Sequence, residues 1–463
     1  MRSSPYAWAG LLLALATLYA VARLGSGLAM AVASWPLRRY RGDEWTERAR
    51  RAWPVRKTSS LALLLLGLPA GLLLVTPSGL QPVPFPFPMV LGSAVAIVGI
   101  LQSSIAAERT FNPAYALTPR PAWGVWISWM LVCVPIVLLM TAFASVLPDR
   151  MNGIAAAELV LLALIAGLYL GWGRLAALRL LRVIRPAPQR VRAVAERAAS
   201  EAGVPLRGVE QVALPLANAF AFILDRKIGF TDAAAAVLDD EELAAVCAHE
   251  LAHLAEPRPV QWARVSQSFL LGFFLAMLAG ATKPLLGSYG LMGLCLGWLV
   301  GCVVLIVGLR LLQRLILKME HLADARGVGS QAAPGVYARA LEKIHRTSLI
   351  PAVMPSKRLT HPHLYDRIIE AGVQPDYPRP APPGRWASLG GFACLLVAAF
   401  AGVQGVRYTA SVLPGQILDR ESAAFWRSGA GLADGSDLLL LFRISEGRPT
   451  PGSVPGTGDL GDR

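Results

Sequence analysis

The chain has 463 residues, of which 54% are hydrophobic and only 16% charged, and its mean hydropathy is +0.49. That balance excludes an assembly of soluble domains and describes a polytopic membrane protein. The formal charge of +14 is carried mostly by arginine; in such a protein it points to cytoplasmic loops and anionic lipid head groups. Nucleic acid is a poor second to lipid and is not expected as a partner, because there is no recognition motif and no basic–aromatic platform.

The first apolar run, 8–34, is interrupted only by Arg23 and lacks a clear small-residue cleavage site. It is expected to be a retained span rather than a signal peptide. A basic loop from Arg38 to Lys57 follows and should be cytoplasmic. No charged residue occurs between Lys57 and Glu108, which leaves room for spans at about 59–76 and 88–106 joined by the proline-rich Gln81–Pro88 outer loop. Spans at about 123–147 and 155–173 come next, separated by a turn with Asp149 and Arg150.

Beyond Arg174 the chain turns basic and amphipathic. Residues 187–202 are expected to be helical, and 209–214, 219–224 and 227–231 to be short strands. Two apolar runs, 267–285 and 289–309, return the chain to the side it left, so residues 310–386 face the same compartment as 174–266. A proline-rich linker leads to a last run at 388–405, and the tail has one strand-like piece at 438–444 before a disorder-prone Gly/Pro/Asp end.

The expected fold is mainly α, a polytopic helical membrane protein of about eight spans with both termini outside. Its parts are an N-terminal membrane domain (1–185), the first part of a soluble α+β domain (186–266), a two-span hairpin (267–309), the second part of that domain (310–375), a linker (376–387), the last span (388–405) and an outer tail (406–463).

The five cysteines build no framework. Cys133, Cys295, Cys302 and Cys394 lie in apolar runs, Cys247 lies elsewhere, and none has C-x-x-C spacing.

The chemistry is concentrated in residues 240–254, which contain the H-E-x-x-H of His249, Glu250 and His253. On a helix His249 and His253 share a face, so two imidazoles can hold one zinc while Glu250 reaches a water beside it. Asp239 and Glu242 form a capping-box pattern, and Pro257 and Pro259 should end the helix. The competing interpretation is an amphipathic helix with two incidental histidines. A catalytic zinc needs a third protein ligand. Glu320 and Asp324, four apart and beyond the two-span hairpin, can supply it and a partner for a histidine N–H. Alone they would be a solvated acidic face. All six histidines lie between 249 and 363. His321 points about 100° away from Glu320 on a helix, and His345 and His363 are expected at the surface.

Four pieces in order resemble the integral-membrane zinc metallopeptidases that include the CAAX prenyl proteases and the HtpX-type heat-shock proteases: Asn218-Ala219-Phe220, the H-E-x-x-H helix, Glu320 to Asp324, and Thr360-His361-Pro362 followed by Arg367. The resemblance is close over about 205–370. It implies a cytoplasmic zincin-like (gluzincin) domain and one zinc ion held by His249, His253 and Glu320. Glu250 would be the general base and Asp324 a support behind the ligands. His361 and Arg367 would stabilise the oxyanion or brace the site, and Asn218, Ala219 and Phe220 would hold the substrate backbone. Outside the resemblance, Asn218 suits a turn, His361 a helix start and Arg367 a phosphate-facing surface charge.

The implied activity is endopeptidase action on membrane-associated or misfolded proteins, or on prenylated-type peptides, in the inner or plasma membrane. Its partners would be a peptide or membrane-protein substrate and the bilayer. The alternative is a catalytically silent zinc-fold sensor or scaffold. A ligand-sensing receptor would need a larger outer domain than the short tail, and a transporter would need intramembrane charges or broken helices.

Overall fold

The computed structural model describes residues 5–74, 87–119, 121–355, 362–384, 386 and 388–409. The chain opens with α1 (Pro5–Ala33), α2 (Trp35–Arg39) and α3 (Trp45–Ala62), and α3 runs through a π turn into α4 (Leu68–Leu73). Then follow α5 (Phe87–Arg109), α6 (Ala114–Leu117), α7 (Pro121–Val146) and α8 (Gly153–Leu168), the last joined by a second π turn to α9 (Arg174–Leu180).

At Arg182 the backbone takes φ +57° and turns out of this helical part. Strand β1 (Ile184–Pro186) and helix α10 (Gln189–Glu201) open the soluble part, followed by β2 (Gly208–Val212), β3 (Ala219–Phe222), β4 (Lys227–Thr231), α11 (Asp232–Val237) and α12 (Asp240–Leu254). The sheet order is β1-β2-β4-β3, with β2 and β4 parallel and the outer pairs antiparallel. The second expected strand stops at Phe222 in a 3₁₀ turn. β1 was not expected: three residues ending in proline carry no alternation signal.

Val191, Val194, Ala195 and Ala198 form one face of α10, at the spacing of an amphipathic helix. They pack with Ile228 and Phe230 of β4 and with Leu243, Val246 and Leu251 of α12 in the soluble core.

The rest is helical: α13 (Arg258–Ala279), α14 (Thr282–Gly329), α15 (Val336–Ser348), α16 (Leu364–Glu370) and α17 (Leu389–Arg407). Two expected boundaries move. The motif helix ends at Leu254, and Pro259 lies in the first turn of α13, so residues 258–266 belong to the helix that continues into the apolar run. Nor does the chain break at 309/310. Gly290, at φ +63°, kinks α14 near its start, but from Leu291 to Gly329 one helix continues. At 1.5 Å per residue that is about 58 Å, enough to cross a bilayer and project beyond it. Arg310, Arg314 and Lys318 lie within this helix and do not end it.

Among the described residues five stretches are long and apolar enough to cross a membrane: Trp8–Ala33, Leu91–Arg109, Gly153–Leu180, Pro284–Gly329 and Leu389–Arg407. They coincide with five of the expected spans. The expected 59–76 span falls partly on α3 and α4, 123–147 on α7, and 267–285 on the end of α13 and the start of α14. Gln81–Pro86 of the expected outer loop and all of the tail beyond Thr409 lie outside the described residues. The last helix packs on the first, where a side chain at Gly25 of α1 would strike Ala398 of α17. Similarly, a Cβ at Gly272 of α13 would lie 2.7 Å from the backbone nitrogen of Gly167 in α8. Small residues thus let these apolar helices approach closely.

Candidate metal centre

Helix α12 begins with a complete capping box. Glu242 N–H donates to Asp239 Oδ1 at 2.9 Å, and Asp239 N–H donates to Glu242 Oε2 at 3.1 Å. Such a cap stabilises a helix start by about 1 kcal/mol. Glu242 is fully buried and also accepts from Arg339 and Lys343 of α15, which fixes α15 against the start of the motif helix. From Ala245 to Leu254 every residue of α12 is buried. Alanines at 244, 245, 248 and 252 let its neighbours come close from all sides.

The projecting end of α14 lies against α12. It brings Glu320 between the two histidines, and one ligand atom from each of His249, His253 and Glu320 lies within 4.8 Å of the others. The His249 Nε2 is 3.6 Å from Glu320 Oε2, and the His253 Nε2 is 3.5 Å from Glu320 Oε1. The two imidazole rings are perpendicular, with centroids 4.9 Å apart.

Each histidine is held from behind. His249 Nδ1 lies 3.0 Å from Asp324 Oδ1 and 2.9 Å from the Tyr337 hydroxyl. Asp324 in turn accepts two bonds from Arg367, at 2.6 and 2.8 Å, and one from Tyr337 at 2.7 Å. His253 Nδ1 lies 2.8 Å from Glu256 Oε1. With both Nδ1 atoms facing carboxylates, both Nε2 atoms face Glu320. Two imidazoles and one carboxylate arranged in this way suit zinc, with the histidine N–H groups on their usual partners.

The electrostatics agree with this arrangement. Burial disfavours charge on His249, but Asp324 and Glu320 outweigh it and lift the imidazole to about 9. A cation bound among the same groups would displace that proton. Burial alone would raise the Asp324 carboxyl, yet His249 and Arg367 hold it well below the usual carboxylate range. Burial pushes the Tyr337 phenol far up, so it stays a neutral hydroxyl, and does the same to the Cys247 thiol, which is inert there.

A cavity of about 530 Å³ opens over this group. Glu250 lines it, as do Asn218, Ala219, Phe220 and Ala221 of the β3 edge. Leu341, Ile344 and Met354 add apolar side chains to its lining. Among the described residues β3 pairs only with β4. Asn218 and Thr231 are bonded through Thr231 N–H to Asn218 O at 3.0 Å. The antiparallel alternation then turns the backbone groups of Phe220 and Phe222 toward β4, and those of Ala219 and Ala221 toward the open edge.

The structure therefore brings Asn218, Ala219, Phe220, His249, Glu250, His253, Glu320 and Arg367 to one cavity, with Asp324 just behind it. Thr360 and His361 lie outside the described residues, although Pro362 lines the cavity. Arg367 is buried, not a surface charge, and its bonds go to Asp324 and Tyr337. His345 also corrects an expectation: it lines the cavity and is half-buried. His321 points away and meets Glu370. Sequence reasoning missed Tyr337, Glu256 and Arg264. Glu256 had a signal, three residues after His253, where helix neighbours meet; Tyr337 and Arg264 reach the site only through packing.

Fold and site together define a metallopeptidase domain carried on membrane-type helices. Residues 187–372 match the model of peptidase family M48, which supports the zinc-metallopeptidase family that the four motifs resemble. The matched segment contains the sheet, the motif helix, Glu320, Asp324 and Arg367. No curated protein and no solved structure matches the chain.

Proposed function

We propose that the protein is a membrane-anchored zinc endopeptidase that cleaves extended, unfolded segments of membrane-associated proteins on the cytoplasmic side. One observation carries this: the His249–His253–Glu320 group, Glu250 and an open strand edge all face the same cavity. His249, His253 and Glu320 would hold the ion, which supplies Lewis-acid activation of water and of the scissile carbonyl. The Glu250 carboxylate would take the proton from the attacking water and pass it to the leaving amine. The open backbone groups of Ala219 and Ala221 would pair with the substrate as an added strand. Leu341, Ile344 and Met354 would receive a bulky apolar side chain, which suits misfolded segments and lipid-modified peptides alike. Arg367 would brace Asp324, and His361 would donate to the developing oxyanion.

The test is casein digestion by the full-length protein purified with zinc, beside Glu250→Gln. The wild type should cleave, and the variant should lose activity by several orders of magnitude while keeping one zinc per chain. Zinc binding without cleavage by the wild type would favour the silent sensor or scaffold. Loss of zinc from a folded Glu250→Gln would make Glu250 a ligand rather than a base.

A further inference from the structure

The two histidines are supported by two separate assemblies, and the motif resemblance accounts for only one. Behind His249 stand Asp324, Tyr337 and Arg367. Behind His253 stands an ion pair from a different part of the chain. Glu256, in the connection between α12 and α13, meets His253 Nδ1 at 2.8 Å. Arg264, two turns into α13, grips both oxygens of Glu256, with Nε to Oε2 at 2.8 Å and Nη2 to Oε1 at 2.7 Å. The same Nη2 lies 3.1 Å from His253 Nδ1 and 3.4 Å from Glu320 Oε1. One guanidinium thus touches His253, its carboxylate partner and Glu320.

We propose that Glu256 and Arg264 are a positioning pair that holds His253 in its metal-binding orientation and ties the metal centre to helix α13; this rests on the zinc reading above. The chemistry requires such a partner. An imidazole that binds metal through Nε2 must carry its proton on Nδ1, and an ionised acceptor at Nδ1 sets that tautomer and the ring angle. Arg264, bonded to both Glu256 oxygens, supplies the charge partner for a carboxylate acceptor there.

The pair is rigidly mounted. Only Ala255, Glu256 and Pro257 separate the two helices. Gln261 of α13 donates to the carbonyls of Leu254, the last residue of α12, and of Glu256, both at 3.0 Å. The Glu256 side chain is 5% exposed and that of Arg264 18%. Desolvating such a pair costs more than a surface bridge, and it can be replaced by apolar residues when nothing but stability is at stake. Its place against two of the three ligands gives it a further role. The apolar run expected to enter the membrane begins at 267, within the same helix. A shift of α13 in the bilayer would therefore reach His253 through one side chain.

The experiment is a Co²⁺ titration of the metal-free, full-length protein in detergent, read by the visible absorption of the bound ion. Wild type is compared with Arg264→Ala, Arg264→Lys and the nearly isosteric Glu256→Gln, each checked by circular dichroism. Arg264→Ala and Glu256→Gln should bind Co²⁺ about 10–100-fold more weakly and shift its absorption bands, the usual consequence of losing such a partner. Arg264→Lys should recover part of the affinity, since it keeps the charge but not the fork. If Arg264→Ala does not fold, Glu256→Gln decides. Affinity within twofold of wild type and an unchanged spectrum in the folded variants would overturn the positioning role alone. A wild type that binds no Co²⁺ would overturn the zinc reading and this inference together.

Discussion

Around His249 the side chains differ sharply in what their loss would do. Glu320 is proposed as a ligand, so Glu320→Ala should reduce zinc affinity most. Asp324 touches His249, Tyr337 and Arg367, and Arg367 is 7% exposed. Asp324→Ala would strand that buried guanidinium, and breaking such a pair destabilises a fold by about 3–5 kcal/mol. Asp324→Asn preserves the shape and is the cleaner probe, with a loss of metal affinity of about 10–100-fold expected. Tyr337→Phe removes a neutral hydroxyl while leaving the Asp324–Arg367 pair in place, and should cost less than either. Isothermal titration of the metal-free proteins with zinc orders the three. Equal affinity in wild type and Glu320→Ala would move the third ligand elsewhere.

The element with the most direct consequence is the edge strand β3. Its ladder alternation leaves the Ala221 N–H on the open side, where no bond to β4 is made. A proline there removes that donor at a position where edge strands accept proline. Ala221→Pro should therefore keep the metal and the melting temperature near those of wild type and raise KM for an extended peptide about tenfold, a loss of roughly 1.4 kcal/mol. An unchanged KM would show that the substrate does not add to this edge. The neighbouring helix pair is less forgiving. A Cβ at Gly327 of α14 would lie 2.7 Å from the Tyr337 ring, so even alanine there would push the hydroxyl away from His249.

On the scale of the whole molecule the metal centre constrains topology. His249 and Glu320 lie together, yet the chain between them runs through α13 and the apolar part of α14. Either both apolar stretches cross the membrane or neither does. Under the proposed orientation, the arginines before residue 200 and those at 310 and 314 put both motifs on the cytoplasmic side. Single cysteines at the exposed positions Arg190 and Ala332, with native cysteines replaced, should both resist a membrane-impermeant thiol reagent in intact cells and react after lysis. Labelling of one but not the other in intact cells would break the His–His–Glu assignment, because its members would then lie on opposite sides.

What the sequence determined by itself was local in origin. His249 and His253, or Glu320 and Asp324, share a face because four residues make about one helical turn. Asp239 and Glu242 cap the helix because a box spans three residues. The apolar runs declare themselves by length. Tertiary structure alone decided the rest. The single helix that carries both an apolar run and Glu320, the three-residue strand β1, Tyr337 beside His249 and Arg264 beside Glu320 depend on how distant elements pack. Arg264 lies 56 residues from Glu320 and Tyr337 lies 88 from His249. No periodicity spans such separations; those contacts exist because α12, α13, α14 and α15 pack closely enough that buried charges and hydroxyls must find partners.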